Sequence, residues 1–160
     1  PNVITFSIAV SACEKAGKWE QAVALVSEMQ SLHMAPDVII CSAMISAAEK
    51  GQAWEQAVKI LEDMRGRGPQ PDLICLNSVI SACTKGEQWQ RALVILEDVR
   101  REGYEPDVVT YSAAISACAA GKRWDCALAL LRAMWQQDLH PSVVTYNAAS
   151  AACERGQQWR

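Results

Sequence analysis

The sequence predicts an all-α chain, an α-solenoid of helix-turn-helix repeats wound into a superhelix, and three observations predict it. Proline recurs at Pro1, Pro36, Pro71, Pro106 and Pro141, a constant interval of 35 residues. Tryptophan keeps the same interval at Trp19, Trp54, Trp89, Trp124 and Trp159. Between these markers apolar residues step by three and four, the period of a helix with one buried face. Two residue types holding one period without an insertion mark an internal repeat, and a unit of this length is one helical hairpin. The copies run over about 1–35, 36–70, 71–105 and 106–140, with a partial copy at 141–160, so 1–160 reads as a single array.

The first helix of each copy starts just after its proline. Asn2, Asp37, Asp72, Asp107 and Ser142 come next in the chain. These are preferred N-cap types, because a short side-chain oxygen accepts a hydrogen bond from an orphan N–H of the first turn. The apolar stripe is Val108, Tyr111, Ile115 and Cys118 in the fourth copy and Leu73, Leu76, Ile80 and Cys83 in the third. Turn-like residues around Gly17, Gly51, Gly86, Gly121 and Gly156 end this helix, with glycine expected in the left-handed conformation of a C-terminal cap.

The second helix begins near each tryptophan. Trp89, Ala92, Leu93, Leu96 and Val99 form its stripe, Glu97, Asp98, Arg100 and Arg101 lie off it, and Gly68 and Gly103 mark its end. Ala22, Ala57, Ala92 and Ala127 each follow a tryptophan by three residues, so a bulky knob stands beside a site of close helix approach. Nine helices are expected, five first and four second, with Trp159 and Arg160 opening a tenth. One hairpin cannot bury its own apolar face, so stability must come from stacking on neighbours in a continuous core. An uncovered apolar end is an aggregation liability. Pro1 in place of a methionine, and Arg160 just inside a helix, read as cuts, so the lack of a targeting segment carries no weight.

Composition narrows the function. No segment approaches the roughly 20 apolar residues of a membrane-spanning helix. A net charge of −3 opposes non-specific polyanion binding, which needs a basic face. Of the seven cysteines, Cys13, Cys83, Cys118 and Cys153 share one repeat position that Ala48 fills in the remaining copy. That is a small packing site, since free cysteine behaves as a small hydrophobe. Cys41, Cys75 and Cys126 are scattered, and no C-x-x-C pair or zinc-like spacing exists, so neither disulfide, metal nor cofactor is expected and a reducing compartment is inferred. His33 and His140 occupy different repeat positions, and there is no nucleophile triad or phosphate loop. No catalytic residue is assigned, and the chain is not expected to be an enzyme or to take a small-molecule substrate.

Polar residues that recur where packing does not demand them are the functional candidates. Ser7, Ser42, Asn77, Ser112 and Asn147 fall six residues after each proline. Serine and asparagine are mediocre inside a helix, and a solvated face would as readily carry Glu, Lys or Gln, so a short polar residue held there implies a steric or recognition demand.

The 35-residue period with segments such as PDVVTYSAAISACAAGKRWDCALALLRAM, over Pro106 to Met134, resembles the pentatricopeptide repeat family. The likeness covers the whole chain and includes V-V-T-Y-S at Val108 to Ser112 and the second-helix Ala127 and Met134. Tryptophan at the start of each second helix departs from the family's usual aliphatic residue and marks a divergent subgroup. The resemblance implies single-stranded RNA binding with one base per repeat, read by side-chain pairs. The pairs it implies are Ser7 with Asp37, Ser42 with Asp72, Asn77 with Asp107 and Ser112 with Ser142. Ser with Asp implies guanine and Asn with Asp uracil, giving a G-G-U core followed by an unassigned base. Ile4, Ile39, Ile74, Val109 and Val144 match the residue that wedges between bases, and Lys15, Lys50, Lys85 and Arg155 the one that contacts phosphate, with Ala120 breaking the row. A basic residue in a last helical turn also complements the macrodipole, so that row has a second reading. The family further implies a mitochondrial or chloroplast setting and roles in RNA processing, stability, editing or translation. Helical solenoids also present concave faces to proteins, so protein partners and a tetratricopeptide-like scaffold form the alternative, although that family's period is 34.

Overall fold

The computed structural model describes residues 2–156, and the expected tenth helix at Trp159 and Arg160 lies outside them. Within this range are nine α-helices and no strand: α1 Val3–Ala16, α2 Trp19–Ser31, α3 Val38–Lys50, α4 Trp54–Arg67, α5 Leu73–Lys85, α6 Trp89–Arg101, α7 Val108–Ala120, α8 Trp124–Gln136 and α9 Val143–Arg155. Each second helix begins on its tryptophan. None of these helices is long and apolar enough to cross a membrane.

The first helices start where cap chemistry dictates. The side chains of Asn2, Asp37, Asp107 and Ser142 accept from the backbone N–H of Thr5, Ile40, Thr110 and Thr145. Asp72 does the same for Cys75 at 2.8 Å. At Asp107 and Ser142 the threonine hydroxyl reaches back to the cap's own N–H, closing a capping box that satisfies two orphan donors.

The first helices end differently from the sequence expectation. Gly17 is left-handed at φ 65°, but Gly51, Gly121 and Gly156 have φ of −81°, −79° and −81°. The left-handed residue is one place later, at Gln52, Glu87 and Lys122, each with φ 58°. The chain there makes paired backbone bonds of a Schellman turn, such as Gln52 N–H to Glu49 O at 3.2 Å and Ala53 N–H to Ala48 O at 2.8 Å. These turns lead straight into the second helices, whose N-cap residues Lys18, Ala53, Gln88 and Arg123 make no side-chain cap.

Steric room explains the displaced glycines. A Cβ at Gly51 would overlap Cδ1 of Trp19, one at Gly121 the indole of Trp89, and one at Gly156 Cδ1 of Trp124. The tryptophan of one repeat therefore lies against the bare backbone of the next. Over Trp89 the guanidinium of Arg123 stacks at 4.7 Å, held by two hydrogen bonds of 3.0 and 2.7 Å to Asp125. This partner, Arg123, pulls the Asp125 carboxyl down to about 2.

Contacts divide the chain into two compact units, Pro1–Ala82 and Cys83–Arg160. In the first, α1 packs on α2 and α3, and α3 on α2 and α4. In the second, α7 packs on α6, α8 and α9, and α8 on α9. A first helix thus touches its own second helix and the next first helix, the arrangement that stacking of hairpins requires. The second unit's core comprises Tyr111, Ile115, Cys118, Ala127, Met134, Ala149 and Ala152. Ala22, Ala57, Ala92 and Ala127 are all fully buried, as the close-approach reading requires.

Candidate functional site

Each candidate base reader occupies the fifth position of a first helix, one turn beyond the N-cap. In the first unit Ser7, Ser42 and Asn77 are half-buried; in the second Ser112 is half-buried and Asn147 exposed. Oδ1 of Asn77 is buried and lacks a hydrogen-bond partner. Leaving such an acceptor unsatisfied costs about 1–3 kcal/mol, so packing alone does not account for an asparagine here.

Within each unit one proposed pair is joined through a third residue. Ser42 Oγ lies 2.8 Å from Cys75 Sγ, and Cys75 is capped by Asp72. In the second unit Ser112 Oγ lies 2.6 Å from Thr145 Oγ1, which lies 3.0 Å from Ser142 Oγ. Thr145 is fully buried. The Ser7 and Asp37 pair has Ile40 at the bridging place, a side chain that cannot hydrogen-bond, and there Asp37 only caps α3. Asn77 belongs to the first unit and Asp107 to the second.

The bridging position was not legible in the sequence. Its occupants, Thr5, Ile40, Cys75, Thr110 and Thr145, mix apolar and polar types. The signal that could have exposed it is the spacing of three after each N-cap, the capping-box distance.

The aliphatic residues at the second position of the first helices are uniformly exposed: Ile4 68%, Ile39 66%, Ile74 68%, Val109 61% and Val144 65%. They lie within one turn of the candidate base readers; α3, α5 and α7 bury most of their other apolar residues, whereas α1 and α9 also expose Val3, Ile8, Val143 and Tyr146. The basic row stands in the last turns. Lys15 and Lys85 are exposed there. Lys50 reaches back to Glu14 at 3.1 Å, where Ser46 donates to the same carboxylate oxygen at 3.0 Å. Arg155 donates to the Ala119 carbonyl at 3.3 Å. Lys50 and Arg155 thus link neighbouring repeats, a role the sequence did not suggest.

The pentatricopeptide repeat domain model matches residues 24–86 and 94–154, and the PPR repeat model matches 4–34 and 74–104. Among curated proteins no sequence matches. The chain is similar in structure to the maize pentatricopeptide repeat protein PPR10, at TM-score 0.85 and 22% identity, covering 99% of this chain and 23% of the maize one. PPR10 in complex with an 18-nt psaJ RNA element matches at TM-score 0.80, with the same identity and coverage. The PPR domain of Arabidopsis thaliana protein-only RNase P 1, in complex with tRNA, matches at TM-score 0.80 and 12% identity over 93% of this chain and 79% of that one. At these identities the likeness establishes the fold, a solenoid of helical hairpins.

Proposed function

The chain belongs to the pentatricopeptide repeat family, and from that premise we propose that it binds single-stranded RNA with one base to each repeat. The observation that carries the reading is the set of aliphatic side chains, 61–68% exposed, at one position of all five first helices. A branched aliphatic left in water forfeits the stabilisation of burial each time it recurs. Flat nucleobases offer the apolar partner that such a residue lacks, and the neighbouring short polar residue can then reach the base edge. The complexes of maize PPR10 with an RNA element and of the Arabidopsis domain with tRNA support RNA as the ligand class.

In this reading Ser7 with Asp37 and Ser42 with Asp72 take guanine, and Asn77 with Asp107 takes uracil, giving a G-G-U core. Ile4, Ile39, Ile74, Val109 and Val144 separate the bases. Lys15, Lys50, Lys85 and Arg155 supply phosphate contacts, Lys50 and Arg155 on exchanging their bonds to Glu14 and Ala119. An organellar setting, with a role in RNA processing, stability, editing or translation, belongs to the same proposal. Titrations with single-stranded RNAs that carry G-G-U or single-base replacements of it test the reading. Tighter binding of G-G-U than of each replacement is expected. Equal binding of all removes the base code, and no binding returns the site to the protein-scaffold alternative.

A further inference from the structure

The three hydroxyls that join Ser112 to Ser142 can be assigned donors and acceptors. A serine or threonine hydroxyl has one proton and two lone pairs. Ser112 donates its proton to the Val108 carbonyl at 2.6 Å. The 2.6 Å contact between Ser112 and Thr145 must then be donated by Thr145. With that proton used, the 3.0 Å contact between Thr145 and Ser142 must be donated by Ser142. The Ser142 Oγ in turn accepts the Thr145 backbone N–H at 3.3 Å, and Thr145 Oγ1 accepts the Ser142 N–H at 3.2 Å. This is the one direction in which every contact is a hydrogen bond. All three protons point into the protein, and what the pair offers outward is lone pairs.

Given the RNA reading above, on which this rests, we infer that Thr145 is a specificity-determining positioning residue that makes the Ser112 and Ser142 pair an acceptor-only site selecting guanine. Guanine alone presents two adjacent N–H donors, N1–H and the N2 amino group, on its pairing edge. Adenine and cytosine present one amino donor beside a ring acceptor, and uracil one imino donor between two carbonyls. Against an acceptor-only pair, each of those places at least one acceptor opposite a lone pair, which is repulsive and leaves polar groups unmatched.

The same arrangement recurs in the first unit with different atoms. Cys75 bridges Ser42 and Asp72, its Sγ 2.8 Å from Ser42 Oγ and its backbone N–H 2.8 Å from Asp72 Oδ1. Cys75 thus stands between Ser42 and Asp72 as Thr145 stands between Ser112 and Ser142, and the Asp72 carboxylate is an acceptor by its charge.

The test is an equilibrium titration of the chain with four RNAs that carry G-G-U and differ only in the base facing the Ser112 repeat. Guanine should bind about tenfold tighter than each alternative, the scale of one well-matched pair of hydrogen bonds. Thr145→Val keeps the shape and removes the hydroxyl, so it should bring the four RNAs within about twofold of one another. Thr145→Ser restores the hydroxyl and should restore the guanine preference. A preference for another base, no preference in the unsubstituted chain, or an equal loss of affinity for all four RNAs in Thr145→Val overturns the inference while leaving RNA binding intact. If Thr145→Val does not fold, the unsubstituted chain and Thr145→Ser still decide it. Failure of every RNA to bind overturns the RNA reading and this inference with it.

Discussion

Asn77 and the cysteines show how differently the fold treats buried polar side chains. Asn77 keeps a buried acceptor without a partner, whereas the serines at the same position, Ser42 and Ser112, are bonded to Cys75 and Thr145. The choice between amide and hydroxyl is therefore not made by the packing of one common site. Cysteines behave oppositely. Burial pushes the thiols of Cys41 and Cys83 up to about 11 and that of Cys118 up to about 12. They remain protonated and unreactive at neutral pH. Mass spectrometry after brief alkylation of the native chain should find Cys41, Cys83 and Cys118 unmodified and the half-buried Cys13, Cys126 and Cys153 labelled. Raised acid pKa values mean that the folded chain holds protons the unfolded chain has lost above its ordinary thiol pKa of 9.0. Stability should accordingly be pH-independent from these groups below about pH 8 and should fall as pH rises from about 9 to 11, readable as a declining Tm.

At the scale of the helix and its turn, the boundaries were legible and the reason for one residue was not. Proline, N-cap and tryptophan spacing located every first and second helix among the described residues, because caps and apolar period are local properties of the chain. Glycine was read as the left-handed cap, a local role, yet Gly51 and Gly121 exist to admit the tryptophan of the preceding repeat, a contact 32 residues distant in the chain. Only packing reveals it. Two substitutions separate the roles. Gly121→Ala should destabilise by about 1–3 kcal/mol through overlap with Trp89, measured by denaturant unfolding. Gln52→Gly relieves a left-handed non-glycine residue and should stabilise by up to about 1 kcal/mol. The bridging Cys75 and Thr145 are illegible in the sequence for a related reason: the bond each makes reaches a side chain in the preceding repeat, and the column holds Ile40 where that link is absent.

Across the whole molecule, the all-α repeat architecture followed from one period, since nothing but stacked hairpins buries a stripe on every helix of a 35-residue unit. Stacking predicts graded stability. Removing residues 141–160 deletes α9, which covers α7 and α8 and contributes Ala149 and Ala152 to the second unit's core. The shortened chain should melt about 5 °C or more lower, while the capped and bonded elements of the first unit retain their helicity by circular dichroism. Under the proposed RNA reading, the acidic balance of −3 puts affinity on local geometry rather than on the chain's field, so base identity should matter even at moderate salt. Exchange of one reader within the array tests that claim most directly. The chain and Asn77→Ser are titrated with RNAs carrying each of the four bases opposite the third repeat. The account predicts uracil for the unsubstituted chain, guanine for the variant, and unchanged preferences at the two preceding guanines; identical preferences for the two proteins, or indifference to the base in both, would contradict it.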